Sequence, residues 1–249
     1  MFLLSVVVRE KFNIDINDWL ALYYPTAPEF KVYQFVSHLF MHGNFMHLFS
    51  NMFALWMFGA VLENIWGPKK FLTYYMITGL GAALLHTLVQ YFDIGMLQSA
   101  TNEFLSNPSN RSFEYYVLNS VPGEFKPVFL ELMNSWNSNP GSIELKQNAI
   151  AIANELLQVK ASIPTVGASG AVFGVLLAFG MMFPNAMIYV MFFFPMKAKY
   201  FVILYGAFEL YSGLQNNPGD NVAHFAHLGG MLFGYILIRY WRKKSNHWY

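Results

Sequence analysis

The stretch 166–183, VGASGAVFGVLLAFGMMF, contains no charged residue. It ends at Phe183-Pro184-Asn185, because proline cannot continue a helix. Its length is close to the roughly 20 apolar residues that a helix needs to cross a bilayer. The stretch therefore predicts a membrane-spanning helix that starts among small residues around Ser169.

Four further stretches are apolar over a similar length, which gives five predicted spans: 35–61, 71–91, 166–183, 198–215 and 222–241. Of the 249 residues, 55% are hydrophobic and 12% are charged, whereas soluble domains have about 25% charged residues. Residues 186–196 are also apolar, but Pro195 interrupts them and indicates a loop at the membrane interface. The sequence thus predicts an all-α membrane protein whose solvent is largely the lipid bilayer.

Charge and cysteine content narrow the function classes. A formal net charge of +1 argues against a nucleic-acid partner, which would need a basic face. The chain has no cysteine, so disulfides and thiolate chemistry are excluded.

The basic residues predict the orientation. The segments after the first and third long spans and the C-terminus carry eight basic residues and one acidic residue; the other side carries seven basic and thirteen acidic residues. By the positive-inside rule the C-terminus is cytoplasmic. The spans 35–61, 166–183 and 222–241 then all start near the outer face. We expect a multi-pass protein of the bacterial inner membrane.

Two parts of the chain depart from the pattern of spans. Residues 1–8 are too short to cross a bilayer and indicate either the end of a truncated spanning helix or a short interfacial anchor. Residues 92–162 are polar, with helical patterns at Pro127–Trp136 and Ser142–Lys160, and predict an extramembrane insertion of helices and loops.

Polar residues inside spans are costly and tend to be functional, and in this chain one group surrounds a serine. Ser169 has small neighbours at a helix start, where free N–H groups stabilise negative charge. Gly170 and Gly174 could instead form only a packing face, as small residues four apart often do. Both interpretations are compatible, because close packing would bring a partner residue to the serine.

A second group surrounds His227. On a helix, His227 shares a face with Gly230 and Gly234, so the histidine lies on a face that can pack tightly against another helix. An imidazole titrates near neutral pH and can take the proton of a serine hydroxyl. We expect no acidic residue to orient His227, because Asp220 precedes the span and Glu209 belongs to the span before it. The ring of Phe173 could hold the imidazole instead, which predicts a Ser–His dyad.

The third group lies in 35–61. On one continuous helix, His38 and His42 would share one face and His47 and Asn51 the opposite one. We interpret His38, like His224, as a histidine at the water interface, whereas His42 could lie there as well or face a buried site. His47 and Asn51 lie deeper and, with the main-chain N–H of Ser169, could donate hydrogen bonds to an oxyanion.

These motifs resemble those of the rhomboid intramembrane serine proteases. The matching pieces are Gly167-Ala168-Ser169-Gly170, Ala226-His227-Leu228-Gly229-Gly230 and residues 42–52, HGNFMHLFSNM. The resemblance covers about residues 30–240 except 92–162. It implies a single membrane domain over 1–249, built as a bundle of six transmembrane helices with the first truncated and the polar insertion between the third and fourth.

The same resemblance implies cleavage of transmembrane protein substrates near the outer membrane face. It assigns Ser169 as nucleophile, His227 as base and His47 with Asn51 to the oxyanion, with Gly167, Gly170 and Phe173 in support. It implies neither a metal nor another cofactor. The chain departs from the family in having Phe173 where Tyr is common, a long loop before Ser169, and no Trp-Arg pair in 9–34.

Three other functions are alternatives to a serine protease. A metal-dependent hydrolase is suggested by the ligand-like spacing of His38/His42 and His224/His227, but no carboxylate accompanies these histidines in the sequence. A catalytically silent rhomboid-like protein that binds membrane clients would usually have lost the serine or the histidine. A transporter would line a path through the membrane with polar residues, whereas these cluster at one level.

Overall fold

The computed structural model describes residues 1–190, 193–215 and 222–244, and they fold into a mainly helical bundle. The helices are α1 (Phe2–Phe12), α2 (Asn17–Leu20), α3 (Gln34–Ser37), α4 (Phe45–Ala54), α5 (Ala60–Trp66), α6 (Pro68–Ser106), α7 (Asn110–Asn119), α8 (Lys126–Ser138), α9 (Ile143–Ala161), α10 (Ser169–Met182), α11 (Ala198–Gln215) and α12 (His224–Lys244). Two strands, β1 (Met187–Val190) and β2 (Phe194–Lys197), pair between α10 and α11.

Each of the five predicted spans overlaps a helix, although the first does so mainly from Phe45 onward. Among the described residues, Phe45–Trp66 and Pro68–Ser106 are long and apolar enough to cross a membrane, and Ser169–Met182 is a shorter apolar helix. The spans predicted at 198–215 and 222–241 correspond to α11 and α12. Helix α1 has 11 residues, about 16 Å, which is about half the thickness of the hydrocarbon core.

The centre of the bundle is formed by α6, α10 and α12, which pack against one another through small residues. A methyl group on Gly230 would overlap the carbonyl oxygen of Gly170, and one on Gly170 would overlap Ala82. A methyl group on Gly174 would lie 2.7 Å from Thr78. Three helices can therefore approach at near-backbone contact, as in other tightly packed membrane helices.

The prediction of one continuous helix over 35–61 is wrong. Helix α3 is followed by a 3₁₀ turn at His38–Phe40, and α4 begins only at Phe45. Asn44 caps α4, because its side chain accepts a hydrogen bond from the main-chain N–H of His47 at 2.8 Å, which is the usual way to start a helix. A π-helical segment, Leu55–Gly59, joins α4 to α5.

Residue 92, the predicted start of the polar insertion, lies within α6, which runs on to Ser106. Helix α6 has 39 residues and is about 58 Å long, well beyond the thickness of a hydrocarbon core. The helices predicted at Pro127–Trp136 and Ser142–Lys160 are confirmed as α8 and α9. Helix α7 was missed, and it starts at a capping box formed by Ser109 and Ser112.

The loop predicted at 186–196 is instead a β-hairpin over its described residues. Strands β1 and β2 are antiparallel, with Met187 opposite Lys197 and Val190 opposite Phe194. Pro195 is accommodated opposite Tyr189, because a two-stranded ribbon has free edges that do not need the missing N–H. Met191 and Phe192 lie outside the described residues.

Candidate active site

Ser169 is the first residue of α10, and its position is fixed from the preceding segment. Thr165 pairs with Leu22 through two main-chain hydrogen bonds of 2.9 and 2.8 Å, and the N–H of Gly167 donates to the carbonyl oxygen of His38 at 3.0 Å. Gly167 has a φ of 124°, a conformation that favours glycine. The chain therefore turns sharply into α10 and presents the hydroxyl of Ser169 at the helix start.

His227 lies in the first turn of α12, directly opposite this serine. Its Nε2 is 2.9 Å from Ser169 Oγ. The contact is possible because α10 and α12 touch at Gly170 and Gly230, and Gly170 also lies close to the carbonyl oxygen of Ala226. The small-residue faces predicted for the two helices thus meet in the structure and bring Ser169 and His227 together.

An aromatic ring covers the imidazole. The rings of Phe173 and His227 are parallel within 4°, with centroids 4.1 Å apart. The ring of Tyr205 also packs against Phe173, in a tilted orientation with centroids 4.9 Å apart. Such a stack restricts the rotation of His227, which was the role predicted for Phe173.

The prediction that no acidic side chain contacts His227 is wrong. Glu209 of α11 lies with its Oε2 2.8 Å from His227 Nδ1 and 2.6 Å from His224 Nδ1. All three residues are buried. His224 is therefore not the interfacial histidine that the sequence suggested. Asp220, the other acid considered, lies outside the described residues.

A sequence signal for Glu209 did exist. A carboxylate within a membrane span is costly and normally has a partner. Helices α11 and α12 are consecutive; Glu209 lies six residues before the end of α11 and His227 three residues after the start of α12. If the two helices form an antiparallel hairpin, these two residues lie within about one helical turn of the same depth.

His47 also lies beside the serine. A methyl group on Gly167 would be 2.7 Å from the His47 ring and 3.7 Å from Ser169 Oγ, so glycine leaves the space that the imidazole fills. Asn51 is buried and donates one amide hydrogen to the main-chain oxygen of His47 at 2.9 Å. An asparagine amide carries two such hydrogens, so a second donor remains on this side chain.

The interface position predicted for His38 is wrong, since His38 is buried, and His42 is buried as well. His38 Nδ1 lies 2.8 Å from the carbonyl oxygen of Gln34, and its own carbonyl accepts from Gly167. The His42 ring packs edge-on against His47 at 5.2 Å. Because the helix breaks between α3 and α4, the two histidines do not form a ligand pair on one helical face.

The sequence argued against a metal-dependent hydrolase because no carboxylate accompanied the histidines, and the structure removes that objection. A carboxylate does accompany histidines here, because Glu209, His224 and His227 have potential ligand atoms within 4.8 Å of one another. This cluster includes the histidine that contacts Ser169, so a metal and a serine-activating imidazole would compete for the same ring.

The fold and the site together define a class: a helical bundle with apolar spans in which a serine and a histidine from two tightly packed helices share a hydrogen bond. A family model for the rhomboid domain matches residues 29–95 and 145–244, more than half of the chain. The chain therefore belongs to the rhomboid family. The prediction of an all-α membrane bundle is confirmed, and the protein is an integral membrane protein.

Individual relatives agree with this assignment. An uncharacterized mitochondrial rhomboid protein of Schizosaccharomyces pombe is 26% identical over 250 residues, which cover 98% of this chain and 57% of the relative. The chloroplastic rhomboid-like protein 11 of Arabidopsis thaliana is 44% identical over 57 residues, 23% of this chain and 20% of the relative. The rhomboid protease AarA of Providencia stuartii is 39% identical over 56 residues, 22% and 20% of the two chains.

The chain thus spans a fifth to about three fifths of the length of these relatives. No solved structure matches it. The predicted bacterial inner membrane is not supported, because the relative that aligns with nearly the whole chain is mitochondrial.

Proposed function

We propose that this protein is an intramembrane serine endopeptidase in which Ser169 is the nucleophile and His227 the general base. The observation that carries the proposal is the 2.9 Å contact between Ser169 Oγ and His227 Nε2. A serine hydroxyl is a poor nucleophile until a positioned base takes its proton, and this contact is within the range for that transfer.

The reaction is an acyl transfer in two halves. Ser169 Oγ attacks the scissile carbonyl carbon while its proton passes to His227 Nε2, and the same proton then leaves with the amine of the cleaved peptide. Water hydrolyses the acyl-serine by the reverse route. His227 accepts a proton and returns it in each half, so no net charge accumulates on the histidine.

The negative charge that develops on the substrate oxygen needs donors. The main-chain N–H of Ser169 at the start of α10, the ring of His47 beside Gly167 and the second amide hydrogen of Asn51 are the candidates. Preorganised donors of this kind supply a large part of the rate enhancement in acyl transfer.

The substrates we propose are transmembrane proteins, cut near the outer face of the bilayer. The support is that Ser169 starts α10 and His227 lies in the first turn of α12 in a membrane bundle, so that a substrate reaches them from the lipid or from the membrane surface. The proposal takes 1–249 as one membrane domain, with the segment after the membrane part of α6 outside the bilayer and the C-terminus cytoplasmic.

The test is cleavage of a model transmembrane substrate by the full chain in liposomes. Wild type is expected to produce two fragments, and Ser169→Ala and His227→Ala are each expected to produce none while keeping the expression and unfolding temperature of wild type. Cleavage retained in either variant contradicts the proposal. Wild-type protein that binds the substrate helix without cutting it would instead identify a client-binding protein.

A further inference from the structure

We infer that Glu209 is a positioning residue for His227, so that the site is a relay of Ser169, His227 and Glu209 rather than a pair. This inference rests on the proposed function, since it concerns the base of the same reaction. It adds a residue from a third helix, α11, to a site built from α10 and α12.

Glu209 determines which nitrogen of His227 carries the proton. A carboxylate oxygen only accepts hydrogen bonds, so at 2.8 Å from Glu209 Oε2 the Nδ1 of His227 is the donor. A neutral imidazole with its proton on Nδ1 has its lone pair on Nε2. That lone pair faces Ser169 Oγ at 2.9 Å, which is the tautomer a base must have to accept the serine proton.

Glu209 also balances the positive charge that His227 acquires during the reaction. When His227 takes the proton of Ser169 it becomes an imidazolium in a buried place, where a positive charge is poorly solvated. Glu209, 3% exposed, provides the opposite charge at hydrogen-bond distance. Phe173 can fix the plane of the ring by stacking, but an aromatic hydrocarbon cannot fix the tautomer. Phe173 therefore restricts the orientation of the ring, whereas Glu209 fixes its tautomer and balances its charge.

His224 supports the carboxylate rather than the serine. Its Nδ1 lies 2.6 Å from the same Oε2 that contacts His227, and the two histidine rings are 6.4 Å apart. A second donor on one oxygen limits the rotation of the carboxylate. His224 is thus expected to matter less than Glu209, because Glu209 contacts His227 with or without it.

The distances favour shared protons over a shared metal. Two ligands on a tetrahedral zinc ion, each at 2.0–2.2 Å, are roughly 3.4 Å apart. The two N···O separations here are 2.6 and 2.8 Å, which are typical of charge-assisted hydrogen bonds.

The experiment compares Glu209→Gln with wild type and with Glu63→Gln, using the full chain in liposomes. Glu63 is an exposed glutamate of α5, so the control makes the same chemical change in another helix away from the site. Cleavage of a transmembrane substrate gives kcat and KM, and titration with a fluorophosphonate gives the concentration of competent sites.

We expect Glu209→Gln to lower kcat per titrated site by about 10²-fold with KM unchanged. This is less than the roughly 10⁴-fold loss when the Asp of a Ser-His-Asp triad becomes Asn, because Phe173 still holds the ring. Glu63→Gln is expected to match wild type. A purely structural role for Glu209 would reduce the number of competent sites but not kcat per site, and that result overturns the inference.

A second measurement needs no variant and so does not depend on Glu209→Gln folding. In wild type labelled with ¹⁵N-histidine, the nitrogen shifts of His227 at neutral pH are expected to report a protonated Nδ1 and an unprotonated Nε2. The opposite tautomer overturns the inference, as does stoichiometric zinc that is present in wild type and lost in Glu209→Gln.

Failure of the proposed function can be distinguished from failure of the relay alone. If wild type neither cleaves nor reacts with the fluorophosphonate, the protease proposal fails and the relay fails with it. If wild type is active and Glu209→Gln equals it in kcat, only the relay is overturned.

Discussion

The bundle around Ser169 and the helical insertion after it are packed by opposite kinds of side chain. In the bundle, α6, α10 and α12 meet through glycine, alanine and threonine at near-backbone contact. In the insertion, α7, α8 and α9 close over the end of α6 with a core of large rings, among them Phe104, Phe113, Tyr116, Phe129 and Trp136.

The difference agrees with the bundle lying in lipid and with the location in water that we propose for the insertion. Helices in lipid gain little from burying apolar side chains, so they associate by close approach and van der Waals contact. Helices in water gain most from removing large apolar surfaces from the solvent. The geometry of the site therefore depends on small residues in the bundle, whereas the insertion has an aromatic core of its own.

The largest effect is expected at the contact between α10 and α12. Gly230→Ala adds a methyl group where the carbonyl oxygen of Gly170 already lies, so the helices must separate and Ser169 loses His227. We expect cleavage to fall below detection. The matched control is Gly95→Ala in α6, where a methyl group has no neighbour within 4 Å and alanine only raises helix propensity. Equal cleavage in both variants would contradict the account of the bundle.

Asn51→Ala tests the oxyanion role within the same bundle. Loss of one oxyanion donor is expected to lower kcat by about 10²–10³-fold, because the Ser169 N–H and His47 remain. The measurement is the cleavage rate per site titrated by fluorophosphonate. Loss as complete as in Ser169→Ala, or no loss, would contradict this role.

Phe173→Leu removes the ring stacked on His227 but keeps an apolar side chain of similar depth. Aromatic pairs contribute about 0.5–1.5 kcal/mol beyond their buried area, so cleavage is expected to fall by a factor of about 2 to 13. Phe179→Leu in the same helix is the control, since its ring contacts Phe58 and Phe183 instead. If the two variants lose the same activity, the stack on His227 has no special role.

The smallest effect on cleavage is expected from the insertion. Trp136 is 2% exposed in its aromatic core, and Trp136→Ala should destabilise α7–α9 by about 3–5 kcal/mol. Limited proteolysis is expected to cut this region faster, while the cleavage rate stays within about twofold of wild type. A collapse of cleavage would show that the insertion supports the site, and the contrast between the two regions would then be wrong.

The two regions were also unequally predictable from sequence. The contact between Ser169 and His227 could be anticipated because glycines lie on the same helical faces as the two residues. Helices α8 and α9 could be predicted from their apolar faces and from Pro140-Gly141 before α9.

Other features were missed for physical reasons. Apolar length over 35–61 concealed the helix start at Asn44, although asparagine is a strong N-cap. Ser109 was interpreted as loop, although with Ser112 it caps α7. Helical periodicity describes one helix at a time, so it does not show that Glu209 and His227 meet; their match in depth emerges only when α11 and α12 are paired as an antiparallel hairpin.

The central claim is that His227 activates Ser169, and labelling by a fluorophosphonate tests it most directly because the probe reacts only with an activated serine. In liposomes, wild type is expected to be labelled at Ser169, Ser169→Ala not at all, and His227→Ala at background. Labelling of His227→Ala at the wild-type rate, or of Ser169→Ala at another residue, would contradict the account.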